Sequence, residues 1–349
     1  VTHPVMITVS TPFLCRKVVN GVVQPGQDSN REVIALSLIS ESAKLNQETH
    51  VHKKHTGNIG DTITRLINQH LPNIKTGDIE KTSNAYNFIG NGKNVFDLIC
   101  SLASKSVPDK GDPGFFFYET REGLQFRSIN SLISDEVANK DNPYFRTDAI
   151  RSGVADDQND FKISRFSIDK NQDLISALKA GVYFSKNIFF NPENFQYEQQ
   201  IYKLTENGLE NTLGKKVSIP EPSATNPNTA HTRTHYHILD VGTYVDPDDK
   251  KPNNDPKRWQ ATATTRYNLL FTQVVSLQVP YNENLKAGDS IQCNFETISD
   301  RKELGATDQV QSGKYLIVNL CHSFDPQHSF TSMTLVRDTY GLYTNKNKK

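Results

Sequence analysis

Apolar and polar positions alternate most regularly in the last fifth of the chain, where residues 269–280, 289–296, 314–324 and 330–337 read as consecutive β-strands. The run Phe271-Thr-Gln-Val-Val-Ser-Leu-Gln-Val279 is rich in the β-branched side chains that suit a pleated, half-buried surface. In residues 314–324, Tyr315, Ile317, Asn319, Cys321 and Ser323 alternate with Leu316, Val318, Leu320, His322 and Phe324, which predicts one nearly apolar face along the whole strand. Residues 282–289 carry turn chemistry ahead of the second strand, and Asp325-Pro-Gln-His328 predicts a hairpin between the last two.

Upstream the period changes. Residues 5–40 read as strand, turn and strand, with 33–39 the better strand. Gly57-Asn58 then opens a helix whose Ile59, Ile63, Leu66, Ile67 and Leu71 share one face, stopped by Pro72. A second helix begins at Asn94, read as a cap accepting the amide three residues on; Phe96, Ile99, Leu102 and Ala103 form its apolar face and Pro108 its stop. Residues 115–118 and 124–127 predict a hairpin around 119–123, with Phe115 and Phe117 on one face. Residues 161–168 predict a strand, 173–180 a short helix closed by Gly181, and 182–190 with 195–202 a long hairpin around Asn191-Pro-Glu-Asn194. Residues 205–256 hold six prolines and one convincing strand, 236–244, before a helix through Trp259 and Tyr267. The chain is thus expected to be α+β, mainly β.

Length and composition narrow the class. A chain of 349 residues divides into two or more cores, and 13 Tyr and 18 Phe supply apolar mass despite a mean hydropathy of -0.58. Lys plus Arg and Asp plus Glu are 39 each, so no net field draws the chain onto nucleic acid or an anionic surface. Cys15, Cys100, Cys293 and Cys321 lie far apart, without metal or redox spacing, and are expected to be reduced, buried thiols. No apolar run approaches the roughly 20 residues of a membrane span, so membrane insertion is not expected. The strand-like run Val5-Met-Ile-Thr-Val-Ser10 stands so near the start that further chain is expected upstream.

Several stretches together resemble one family. Val279-Pro-Tyr-Asn-Glu-Asn-Leu-Lys-Ala-Gly-Asp289, Ser312-Gly-Lys-Tyr-Leu-Ile317 and Thr334-Leu-Val-Arg-Asp338 look like the C-terminal end of baseplate hub proteins from contractile-tailed, T-even-like bacteriophages. Gly181-Val-Tyr-Phe-Ser-Lys-Asn-Ile-Phe-Phe-Asn-Pro192 resembles a hub hairpin, and residues 33–70 resemble the end of the hub's first tube-like domain. The likeness covers most of the chain apart from about residues 205–256, and it lies in the order of the motifs. It implies two tube-like β-barrel or sandwich modules: the end of the first in 1–44, an α/β insert in 45–132, the second module in 133–204 and 257–349, and a loop-rich insert in 205–256. It further implies a homotrimer adapting a sixfold tail tube to a threefold cell-puncturing spike. The implied partners are the central spike protein, the tail tube protein, the tape measure and other baseplate proteins, with DNA present only in transit. The particle would be a virion tail assembled in the host cytoplasm. Charge neutrality suits a channel wall, because a basic wall would retain DNA.

No catalytic, cofactor-binding or metal residue is expected. His50, His52 and His55 sit beside Lys53 and Lys54 and read as a solvated loop, since metal ligation wants neutral imidazoles. His235 and His237 would share a strand face, with His231 and Asp240 nearby, which keeps a metal-dependent hydrolase as a rival. Asp156-Asp157 and Asp248-Asp249 read as solvated turns, and Gly90-Asn-Gly92 as a tight turn without the rest of a phosphate-binding fingerprint. Cys321 and His322 fall on opposite strand faces, which rules out a dyad between them. Two further rivals are the hub of a cellular contractile injection particle and a carbohydrate-binding tail protein.

Overall fold

The computed structural model describes residues 13–20, 34–146, 160–204, 209, 211–214, 232–239, 257, 259–296, 307–325 and 328–339. The fold is α+β and mainly β, as the pattern predicts. The first elements are β1 (Phe13–Asn20), β2 (Ile34–Ser40) and α1 (Glu41–Glu48), followed by β3 (His50–Val51), β4 (Lys54–His55) and α2 (Ile59–His70). Then come β5 (Thr76–Ile79), β6 (Phe88–Ile89), β7 (Lys93–Asn94), α3 (Val95–Ala103), β8 (Phe115–Thr120), β9 (Gly123–Ser128) and α4 (Ile129–Ser134). The rest comprises β10 (Tyr144–Arg146), β11 (Arg165–Lys170), α5 (Leu174–Ala180), β12 (Phe184–Asn191), β13 (Gln196–Lys203), β14 (Arg233–Ile238), α6 (Gln260–Leu270), β15 (Gln273–Pro280), β16 (Ser290–Phe295), β17 (Gly313–Phe324) and β18 (Ser329–Arg337).

The α2 helix forms for the reason its spacing predicts. Ile59, Ile63, Leu66 and Ile67 are all fully buried on one stripe, against Leu98, Ile99 and Leu102 of α3 and Phe115 and Phe126 of the β8–β9 hairpin. The face of α3 is rotated from the expected one: Val95 and Leu98 are buried, while Phe96 packs at the margin edge-on to Phe117. Asn94 makes no side-chain cap. Instead the Phe96 amide donates to Asn46 Oδ1 of α1 at 2.8 Å, so a distant residue satisfies this helix end. The α3 helix stops at Ala103, five residues short of Pro108.

The largest sheet runs β10-β16-β17-β18-β15-β11, antiparallel except for β10 on β16. It curls into a half-barrel. The segment just ahead of β11 meets β10 at one parallel bridge, Phe145 to Lys162, where the Ile163 amide donates to the Phe145 carbonyl at 2.8 Å. The inside is filled by Tyr144, Val275, Leu277, Ile291, Tyr315 and Leu335 among others, a packed core of one module. Residues 269 and 270, expected in the first strand, end α6 instead.

β17 departs from strict alternation. Ile317 pairs with Leu335 and Asn319 with Thr334, leaving Val318 as a bulge. The extra residue returns Leu320 to the inner face shared by Tyr315 and Ile317, so the single apolar face expected along 316–324 does not exist. Leu316 instead points outward, where α4 and α6 cover it through Ile129, Leu132 and Leu270.

α6 joins the parts. Ala261 and Leu269 contribute to a core with Val182, Phe184 and Tyr202, while Tyr267 faces the hairpin. Tyr267 Oη donates to the Phe115 carbonyl at 2.6 Å and accepts from its amide at 2.9 Å. Arg266, 1% exposed, donates to Asn130 Oδ1 at 2.8 Å and lies 3.5 Å from Asp338. Asp338 in turn accepts from the Leu213 amide at 2.9 Å. Although polar in composition, α6 buries Ala261, Ala263, Thr265, Arg266, Leu269 and Leu270 and leaves Asn268 exposed, so its buried Arg266 needs the partners just named.

Candidate interaction surface

A metal-dependent hydrolase would rest on His235 and His237 of β14. β14 lies parallel to β12 with Asn187 beside His235 and Phe189 beside His237, so the two imidazoles do share a face, 6.1 Å apart. That face is turned toward the protein. His237 stacks on buried Phe189 at 5.0 Å, and its Nε2 pairs with Asn187 Oδ1 at 3.1 Å, a contact that requires the proton on Nε2. Burial, and secondarily the charge of His235, holds the His237 pKa below the ordinary imidazole value. His235 Nε2 lies only 3.2 Å from where a side chain on Gly181 would begin. No group of three His, Cys, Asp or Glu able to hold a metal occurs among the described residues. His231 and Asp240 lie outside the described residues, as do Asp156, Asp157, Asp248 and Asp249.

His55 is not the solvated residue expected. It is buried, stacks on Phe88 at 5.2 Å, and has an Nε2 with no hydrogen-bond partner. Burial first, then Arg65, His70 and Lys53, lower its pKa. His50 and His52 are exposed. Gly90-Asn-Gly92 is a turn whose Gly90 and Gly92 amides are spent on the Lys53 and Val51 carbonyls, so it offers no anion nest. A side chain on Gly90 would start 2.2 Å from the Val51 carbonyl oxygen, which is why glycine stands there. Of the four free cysteines only Cys293 is buried; Cys15, Cys100 and Cys321 are exposed, against the expectation of buried thiols. His322 packs edge-on to Tyr281 and pairs with Thr331 Oγ1 at 2.9 Å, with Cys321 directed elsewhere.

The motifs that carry the family resemblance turn out to be architectural. Gly288 sits at φ +91 with Tyr118 Oη 2.3 Å from where a Cβ would be, so both backbone and space call for glycine, and its amide donates to the Ile317 carbonyl at 2.9 Å. Arg337 is fully buried at one end of the half-barrel, donating to the carbonyls of Ser312 and Val310 and to Gln273 Oε1, with its guanidinium 4.5 Å from the Tyr315 ring centre.

Two apolar sheet faces remain open. The β13-β12-β14 sheet buries Ser185, Asn187 and Phe189 on one side; on the other, its register lines up Phe190 with Tyr197, Lys186 with Ile201, and Ile188 with Tyr236. Tyr236 and Ile238 are 79% and 78% exposed, Tyr197 is 66% exposed, and Phe195 at φ +59 packs edge-on to Phe190 beside them. The second face belongs to the two-stranded β1–β2 ribbon. A bulge at Arg16 sets Phe13, Cys15 and Val18 against Ser40, Leu38 and Leu36 on one exposed side. Ribbons of two strands are marginal in water without a covering surface. Neither open face is marked in the sequence, because an alternating strand looks the same whether its apolar side is covered or left in solvent.

A trough of about 790 Å³ crosses four strands of the half-barrel, floored by Phe166, Leu277, Leu320 and Met333. Among the described residues no helix is long and apolar enough to cross a membrane.

No family model matches the chain, and no curated protein does. Solved structures similar to it include a tail protein from Neisseria meningitidis MC58, 12% identical, with 94% of this chain and 80% of that one covered and a TM-score of 0.47. The 43 kDa tail protein of prophage MuSo2 from Shewanella oneidensis is 9% identical, with coverage of 93% and 78% and a TM-score of 0.46. A topological model of the p2 virion baseplate in activated conformation gives 11% identity, coverage of 93% and 79%, and a TM-score of 0.25.

Proposed function

We propose that this chain is a structural, non-enzymatic subunit of a phage tail baseplate hub. Three copies form a ring between the sixfold tail tube and the threefold spike, with DNA passing through the bore. The half-barrel is the second tube-like module, and residues 13–40 belong to the first. Closed threefold symmetry with two similar modules per chain yields six similar edges from three subunits.

The observation that carries assembly is the open side of the β13-β12-β14 sheet, where Tyr197, Ile201, Tyr236 and Ile238 stand together in solvent while the half-barrel and the α2–α3 unit have packed interiors. Contiguous exposed apolar surface of this kind marks an interface. The order of the hub-like motifs along the sequence supports the kind of assembly. The C-terminal motifs hold the half-barrel together through Gly288 and Arg337, as a scaffold requires.

Native mass measurement tests this. The wild-type protein is expected at three times the 39.3 kDa chain, and a Tyr236→Asp, Ile238→Asp double variant at the mass of one. A wild-type protein that stays monomeric at high micromolar concentration, alone and with its spike protein, contradicts the proposal.

A further inference from the structure

Two pieces of one ribbon, β3 with β7 and β4 with β6, run antiparallel across residues 50–57 and 86–94. The amides of Tyr86, Gly90 and Gly92 donate to the carbonyls of Gly57, Lys53 and Val51 at 3.0, 3.1 and 2.9 Å. Even-numbered positions of this strand therefore spend their backbone groups on the ribbon. By the alternation of an antiparallel ladder, the N–H and C=O of Ile89, which sits opposite Lys54, point the other way. Ile89 also lines a groove of about 310 Å³ between this strand and α3.

The groove has the parts of a strand-docking site. Leu98, Ser101, Leu102 and Lys105, at helical spacing, form its far wall, with Leu98 and Leu102 buried and apolar. Ile89, half exposed, lies along its near edge. Lys93 and Lys105 are its only ionisable side chains apart from Tyr86, and no carboxylate lines it. Lys105 is held in place over the Tyr86 ring, 4.1 Å from its centre. The exposed Ile89 side chain, an open strand edge and two lysines select an extended segment that supplies main-chain hydrogen bonds, small apolar side chains and carboxylates.

We propose that the groove between Ile89 and α3 binds an extended acidic segment of a partner protein by strand addition. This is independent of the ring proposed above, since neither open sheet face contributes to the groove.

The test uses the full chain and acetyl-Glu-Val-Glu-Val-Glu-Val-amide as probe, followed by titration calorimetry and by exchange of the Ile89 amide. Saturable binding is expected, with slowed exchange at Ile89 and no such change at Ile201 on the other open face. Lys93→Glu, an exposed position, is expected to weaken binding about tenfold, and raising salt from about 50 mM to about 500 mM to weaken it further. The Lys-Val peptide of the same length is expected not to bind. Absence of binding at millimolar peptide, equal binding of the lysine peptide, or binding that leaves the Ile89 amide unprotected each overturns the proposal.

Discussion

Single residues decide how this fold is closed, and the decisive ones are charged. Arg337 and Asp338 end the motif Thr334-Leu-Val-Arg-Asp338 and are both fully buried, one against the carbonyls of Ser312 and Val310, the other against the Leu213 amide and Arg266. Replacing Arg337 by alanine removes the guanidinium donor from those two carbonyls and leaves Gln273 Oε1 with only the longer contact from Tyr315 Oη, and is expected to cost about 3–5 kcal/mol in chemical denaturation. A loss below about 1 kcal/mol would show that the guanidinium is not holding the 307–312 segment. The histidines make a pH prediction. Burial lowers the pKa of His55, His237 and His322, so the unfolded chain takes up protons near the ordinary imidazole value before the folded one does. Stability is therefore full above about pH 6.5 and is lost as pH falls below it, toward the lowered folded values. His55→Phe is expected to flatten that loss between about pH 6.5 and 5.5, measured as melting temperature; an unchanged slope would acquit His55. Sequence alone did not show His55 as buried, because its two lysine neighbours are exposed while Phe88, which covers it, is 33 positions away.

At the scale of elements, legibility followed locality. α2, the 191–194 turn and α5 were plain from spacing and caps, and the structure shows the corresponding devices. Asn191 Oδ1 accepts the Glu193 amide, Asp173 Oδ1 accepts the Ser176 amide, and Gly181 closes α5 at φ +74. α1 escaped notice because its buried positions are Ser42 and Asn46, which give no apolar stripe. The strand expected at 236–244 is described at Arg233–Ile238, where pairing with β12, a tertiary fact, sets the register. The bulge in β17 is the sharper case, since perfect sequence alternation concealed a change of face. Because Val318 is the surplus residue, its deletion should leave Ile317 and Leu320 facing inward and cost less than about 2 kcal/mol. Deleting Leu320 should cost about 2–5 kcal/mol, because Asn319 or Cys321 must take its place inside. Equal losses for the two deletions, read from urea midpoints, would contradict the register.

The whole molecule combines packed cores with surfaces that stay open. The half-barrel interior, the α2–α3 core and the junction around α6 are complete within one chain, whereas the β1–β2 ribbon and the outer side of β13-β12-β14 are apolar and uncovered. Sequence patterning conveys a mainly β fold, which the observed elements bear out. Which sheet faces stay open is not legible, because the period of two does not say whether an apolar face has its own core against it. Electron-microscopic averaging of the purified full-length protein tests the central claim most directly. Threefold particles enclosing an open bore are expected, with the bore lost in the Tyr236→Asp, Ile238→Asp variant; solid, asymmetric particles of one chain each would contradict the account.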